Sequence, residues 1–195
     1  MSYLHSFHHM TQLTYKQFRE ELRKEQKYYR KSRLRELLLG RSDVGRYVYH
    51  MRWTEFCLTK SQVAPPVNIF IQLLRIYHQR RMHVYARRTG FQIGLGTTGW
   101  GLRICHWGYI IINKDAKVGR NLTIYPGSTI GAYKGAPTLG DNVFIGLGAK
   151  VIGHITVGDN AMVAPNAVVT KDVPANCIVA GVPAKIISTQ RYKQQ

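Results

Sequence analysis

The chain has 195 residues, 45% of them hydrophobic, with 28 Lys or Arg against 10 Asp or Glu and a formal net charge of +18, enough apolar material for one large or two small domains with a true core. The opening MSYLHSFHHM has no cationic start before an apolar stretch and so is not a secretory signal, and the longest apolar run, Val67 to Tyr77, is broken by Asn68, Gln72 and Arg75 and falls short of the ~20 residues of a membrane span. Cys57, Cys105 and Cys177 stand far apart with no CxxC pair, which excludes a disulfide framework and a structural zinc site, so a cytoplasmic protein with reduced thiols is expected.

The first half is Gly-poor and rich in Arg, Lys, Tyr and Leu. Thr14 to Leu39 reads as a helix ended by Gly40, and Val44 to about Leu58 as a second. A third starts after Pro65 and Pro66 and runs through Ile69, Leu73, Ile76 and Tyr77 to Arg88, where Gly90 stops it. Residues 1–89 are therefore expected to form a basic α-helical N-terminal domain. Residues 1–90 carry 18 Lys or Arg against 6 Asp or Glu, and the remainder 10 against 4, so the helices hold most of the positive charge. No zinc finger, aromatic RNP motif or helix-turn-helix accompanies that charge, so nucleic acid is not an expected partner. Basic helices interleaved with Tyr, Leu and Trp53 fit a peripheral contact with the inner face of a membrane, against the plainer reading of a solvated basic face around an anionic cofactor.

From residue 112 an aliphatic side chain returns at every sixth position: Ile112, Val118, Ile124 and Ile130, then Leu139, Ile145, Val151, Val157, Val163 and Val169. Small or apolar residues precede most of them by two places (Ala116, Leu122, Ser128, Val143, Ala149, Ala161, Ala167). Neither a helix nor a simple strand has this period. It is that of a parallel β-helix, in which each hexapeptide forms one face of a coil and stacked coils bury an aliphatic core. The expected architecture is mainly β: a β-helix over 90–188, preceded by the helical domain and followed by a tail at 189–195. The step from Ile130 to Leu139 is three residues too long, so a loop must leave the coil around Tyr133, Lys134, Gly135, Ala136 and Pro137.

His106, in RICHWGYIII, stands one hexad before Ile112, in a slot where the coil normally takes an apolar side chain. Spacing alone leaves open a turn histidine bonded to backbone or a functional ring.

The stretch His106-Trp-Gly-Tyr-Ile-Ile-Ile-Asn-Lys-Asp-Ala-Lys-Val-Gly-Arg-Asn-Leu-Thr-Ile124 resembles the active-site coil of hexapeptide-repeat acyltransferases, in the serine acetyltransferase-like branch and most closely its polysaccharide-cluster O-acetyltransferases. KGAPTLGDNVFIG (Lys134 to Gly146), VVTKDVPAN (Val168 to Asn176) and VAGVPAKII (Val179 to Ile187) resemble the closing segments of the same superfamily. The resemblance implies a left-handed β-helix, a homotrimer, acetyl-CoA in the groove between neighbouring subunits, and no required metal. It makes His106 the general base: a neutral imidazole, titrating ordinarily near about 6.5, accepts the hydroxyl proton and returns it to the departing thiolate. It puts Gly146, Gly148, Ala149 and Ala164 beside the pantetheine arm, with Lys171, Lys185 and Thr170 on the phosphates. Cys105, Trp107, Tyr125, Tyr133 and Lys134 fall on the acceptor side, and Trp100 joins the aromatics that flank it.

Departures from the serine acetyltransferase pattern bear on the acceptor. Cys105 stands where that family has Asp, and Ala136 where it has a second His before the proline. No acid falls about fifteen places upstream of His106, where Phe91 and Gln92 stand, so Gln92 or a backbone carbonyl is left to orient the ring. The expected function is thus acetyl-CoA-dependent O-acetylation of a saccharide in cell-surface polysaccharide assembly. Serine O-acetyltransferase is the alternative, and a non-catalytic β-helix scaffold comes third. A zinc site of carbonic-anhydrase type would have only His106 and His154 in the repeat to draw on.

Overall fold

The structure is a computed structural model and describes residues 13–30, 42–60 and 66–189. It divides at Thr89/Gly90 into two compact units.

The first unit contains three helices. Helix α1 (Tyr15–Tyr29) begins with a capping box: the Thr14 hydroxyl accepts from the Gln17 N–H, and the Gln17 side chain accepts from the Thr14 N–H. Arg30 is already extended, and the expected continuation to Leu39 lies outside the described residues. Helix α2 (Asp43–Thr59) is capped by Ser42, whose Oγ accepts from Gly45 N–H at 3.1 Å. Helix α3 (Val67–Thr89) follows Pro66; Pro65 lies outside the described residues.

Phe18 stacks on Phe56 with centroids 4.2 Å apart and meets Trp53 edge-on, joining α1 to α2 in a core with Leu22, Val48 and Met51. Arg52 is fully buried. Its Nε and Nη2 each donate to the Glu25 carboxylate at 2.9 Å, and Nη1 donates to Glu55 at 3.0 Å. Burial works against that charge, but the pull of Glu25, then of Glu55, outweighs it and raises the pKa of the guanidinium. His50 and His78 are also buried, with their Nδ1 atoms 2.8 Å apart, so one ring donates and the other accepts. Burial first holds both at about 4; for His50 the neighbouring His78, Arg81 and Arg46 add to it. Burial likewise lifts the Cys57 thiol to about 11, against the pull of Arg75, and all three cysteines are free. Among the described residues, no helix is long and apolar enough to cross a membrane.

The second unit is the β-helix. Its first face stacks Phe91–Ile93, Ile110–Ile112, Thr129–Gly131, Lys150–Ile152 and Val168–Val169 in parallel register. The second stacks Lys117–Val118, Thr138–Leu139 and Thr156–Val157, extended by single bridges Thr98 to Val118 and Val157 to Val173. On the third lie Arg103–Ile104, Thr123–Ile124, Phe144–Ile145, Met162–Val163 and Ile178–Ala180, with Lys185–Ser188 returning antiparallel on the last. All ten aliphatic positions of the six-residue beat are buried, as are the small residues two places before them. The stack also starts one coil earlier than the regular beat: Ile93, Thr98 and Ile104 occupy the same inward ladders.

The turns explain the polar spacing. At the corner between second and third faces, Asn121, Asn142, Asn160 and Asn176 adopt φ of 57 to 61°, a left-handed conformation that asparagine tolerates well. The Nδ2 of each of the first three donates to the Oδ1 of the next coil's asparagine, at 3.0, 3.2 and 3.1 Å. Outside this ladder, Asp141 accepts from Arg120 N–H at 2.6 Å and Asp159 from Asp141 N–H at 2.7 Å.

Candidate functional site

The corner between third and first faces carries the candidate chemistry. In the later coils it is a short turn, Tyr125-Pro-Gly-Ser128, Gly146-Leu-Gly-Ala149 and Ala164-Pro-Asn-Ala167. Gly127, Gly148 and Asn166 take φ of 79, 70 and 58° there. Gly148 N–H donates to Pro126 O at 2.9 Å and Asn166 N–H to Leu147 O at 2.8 Å, so the turns stack in register. In the first coil the corner is longer. Ile104, paired with Ile124, and Ile112, paired with Ile130, bracket two more residues than any equivalent pair below them.

That insertion corrects the placement of His106. The inward slot belongs to Ile104, which is buried, whereas His106 lies in the expanded corner with its ring exposed. Trp107, 76% exposed, and Tyr109, 53% exposed, project beside it. The His106 ring faces Tyr125 one coil below at 6.2 Å, and Tyr125 faces Phe144 at 5.5 Å, making a column of rings down the corner. Among the described residues neither a carboxylate nor Gln92 hydrogen-bonds to His106; Gln92 sits exposed on the first face.

The expected coenzyme residues separate into three groups. Gly146, Gly148 and Ala164 lie on the His106 corner. A Cβ at Gly146 would come 2.6 Å from Pro165 N, and one at Gly148 would collide with the Asn166 side chain, so coil packing by itself demands both glycines. Ala149 is on the same corner but fully buried, so its methyl fills the coil core instead of facing a ligand. Thr170 and Lys171 are exposed on a different corner, between first and second faces. Lys185 is exposed on the returning strand Lys185–Ser188.

The acceptor-side residues separate likewise. Cys105, Trp107 and Tyr125 share the His106 corner. Tyr133 and Lys134 belong to the extruded loop at the corner of Thr170 and Lys171, where the Lys134 ammonium lies 5.6 Å from the Tyr133 ring centroid. A Cβ on Gly135, at φ 130°, would meet the His154 side chain, so the loop lies against His154. His154 and His106 are thus on different corners, and no group of three metal-binding side chains occurs among the described residues. Trp100 is buried, so it packs within the first coil and is not available to a sugar. Two residues at the His106 corner escape the sequence reading: Tyr109, and Phe144, whose only signal is an aromatic just before a core position.

A family model, "Bacterial transferase hexapeptide (six repeats)", matches residues 136–171. A serine acetyltransferase of Helicobacter pylori is 38% identical over 134 residues, 62% of this chain and 78% of that protein. The serine acetyltransferase of Mycobacterium tuberculosis is 42% identical over 105 residues, 51% of this chain and 46% of that one. Among solved structures, a Neisseria gonorrhoeae serine acetyltransferase in complex with serine superimposes with a TM-score of 0.65 at 25% identity, covering 89% of this chain and 70% of that one. A serine acetyltransferase in complex with CoA gives 0.57 at 26% identity, covering 75% and 57%.

Proposed function

Because the chain belongs to the serine acetyltransferase family of hexapeptide-repeat transferases, we propose that it transfers an acetyl group from acetyl-CoA to the hydroxyl of L-serine, with His106 as general base. The observation that carries this reading is the expanded first-coil corner, which lifts His106 out of the core and sets it above Tyr125, Gly146 and Ala164 on one edge. The ring takes the hydroxyl proton as the oxygen attacks the thioester carbonyl, and the tetrahedral intermediate collapses with cleavage of the C–S bond. The imidazolium then returns its proton to the thiolate.

Ala164 and the glycine turns leave the corner shallow enough for a pantetheine arm. Thr170 and Lys171 lie on another corner within one subunit, whereas Lys185 pairs with Ala180, one coil beyond Ala164. Thr170 and Lys171 serve the same coenzyme only if a neighbouring copy brings them to it, so a homotrimer with acetyl-CoA between subunits is part of the proposal. In this reading residues 90–188 are the catalytic domain, 1–89 an accessory one, and the enzyme works in the cytoplasm.

The saccharide acceptor expected from Cys105 and Ala136 gives way to serine, because the relatives described above are named for serine. It stays as a second reading for one reason: Trp107 and Tyr109 stand exposed beside His106, where flat apolar faces suit a sugar ring better than a small zwitterion. The deciding experiment follows CoA release from acetyl-CoA with a thiol reagent, for the wild type and His106→Ala, against L-serine and a panel of nucleotide sugars and oligosaccharides. Turnover on serine that vanishes in the variant supports the proposal; turnover confined to a sugar replaces it with the second reading. A His106→Ala chain as active as wild type overturns the assignment of the base.

A further inference from the structure

The helical unit contains a cavity of about 610 Å³ between α1 and the start of α2, within the range of small-ligand sites, about 300 to 1,000 Å³. Its wall on α1 is a stripe of three cations, Arg19, Arg23 and Lys27, and Arg30 follows at the C-cap. Two spacings of four residues keep the three helical cations on one face of α1 over roughly 12 Å. Leu22, buried, and Tyr49, half-buried, give the cavity an apolar floor.

The charges on α1 are sorted. Glu21 and Glu20 pair with Lys24, Glu20 also bordering a neighbouring groove with Arg19 and Arg23, and Glu25 turns inward to Arg52. Arg19 donates to the Tyr15 hydroxyl at 3.0 Å and lies 5.8 Å from that ring's centroid, with no ion pair to a carboxylate among the described residues. Among the described residues no carboxylate pairs with Arg23, Lys27 or Arg30, and no acidic side chain lines the cavity. Like charges four residues apart on one helix face repel one another, and a bound anion would relieve that repulsion; Lys27 and Arg30, at the C-terminal end of α1, are in addition favoured by the helix dipole. On the far wall Ser42 is the N-cap and Gly45 lies in the first turn of α2, a turn whose one carboxylate among the described residues, Asp43, is engaged by Arg46 and Arg88.

We propose that this cavity binds a phosphate-bearing ligand, with the phosphates on the Arg19–Lys27 stripe and any apolar body on the floor. The site is separate from the His106 corner and does not depend on the acceptor assigned there. The ligand is either a soluble phosphate ester or the headgroup of an anionic lipid; both present phosphate oxygens to the same cations.

The test uses the full chain with two probes: inorganic pyrophosphate by titration calorimetry, and phosphatidylglycerol vesicles by cosedimentation at low salt. Arg23→Glu/Lys27→Glu reverses two charges on exposed positions, and its far-UV dichroism and CoA-release activity are expected to stay at wild-type values. Lys171→Glu/Lys185→Glu is the control for phosphate binding at the proposed coenzyme site. Pyrophosphate affinity reduced about tenfold or more by the first pair, and retained in the second, supports a soluble ligand. Vesicle binding lost in the first pair, with no pyrophosphate binding, supports the lipid headgroup. If neither probe binds, or if the loss follows Lys171 and Lys185, the proposal is overturned, whatever the outcome for serine.

Discussion

The two units of this chain solve the burial of polar groups in opposite ways. The β-helix keeps its inward ladders aliphatic or small and exports polarity to the corners, where each coil repeats the same asparagine and aspartate bonds. The helical unit brings polarity inside, in two unrepeated constellations: Arg52 between Glu25 and Glu55, and His50 against His78. A repeat spreads its stability over many small equal contributions. The helical unit concentrates it in a few residues whose loss leaves charge or lone pairs uncompensated.

The most damaging single change should be chemical. His106→Ala is expected to lower acetyl transfer by about 100- to 10,000-fold with the melting temperature unchanged, since the ring is exposed and packs into no core. Retained activity would move the base elsewhere.

Next comes Arg52→Ala, expected to destabilise the helical unit by about 3 to 5 kcal/mol in urea unfolding, because Glu25 and Glu55 stay buried without their cation. Replacing all three by apolar residues of similar volume should recover most of that loss. If the triple variant is as unstable as the single one, packing and not charge is what Arg52 supplies.

The histidine pair predicts a pH dependence confined to the helices. Both rings are held neutral, at about 4, whereas an unfolded chain takes up protons from about 6.5 downward. Their contribution is therefore complete above pH 6.5 and is lost as pH falls from there toward 4, on the order of 3 kcal/mol between pH 7 and 5 for the pair. His50→Phe/His78→Leu should flatten that window in thermal unfolding. A slope that persists belongs to other groups.

The smallest effect tests the repeat. Asn142→Gly keeps the positive φ and removes the ladder bonds to Asn121 and Asn160, at a cost of about 1 kcal/mol; Asn142→Ala adds about 1 kcal/mol for the strained backbone. Equal costs for the two would mean that the ladder, and not the turn conformation, dominates the corner.

The same contrast governs what could be read from the residues alone. The β-helix was legible because its signal is periodic: the six-residue beat from Ile112 to Val169 picks out side chains that are all buried. Where the beat falters, the signal is lost. Ile93, Thr98 and Ile104 are spaced by five and six residues and then followed by a step of eight, so the first coil was hidden, and counting back from Ile112 put His106 in a slot that Ile104 holds. The Arg52 triad was invisible for another reason. Nothing near MRWTEF announces that its arginine is buried, because the compensating Glu25 lies 27 positions away. Thr170 and Lys171 were grouped with Gly146 by resemblance, while geometry places them on another corner; sequence does not say which corner a turn occupies until the coils are counted.

The asparagine ladder also says something about how the chain finds its fold. Successive ladder bonds close loops of 21, 18 and 16 residues, and no step needs a distant partner once its neighbour is in place. Each coil therefore faces nearly the same modest entropy of closure and docks on a template already formed, so assembly can proceed from any coil toward both ends. The three-residue insertion before Leu139 lengthens one such closure only slightly, which is why a repeat of this kind accepts loops at its corners without losing its register.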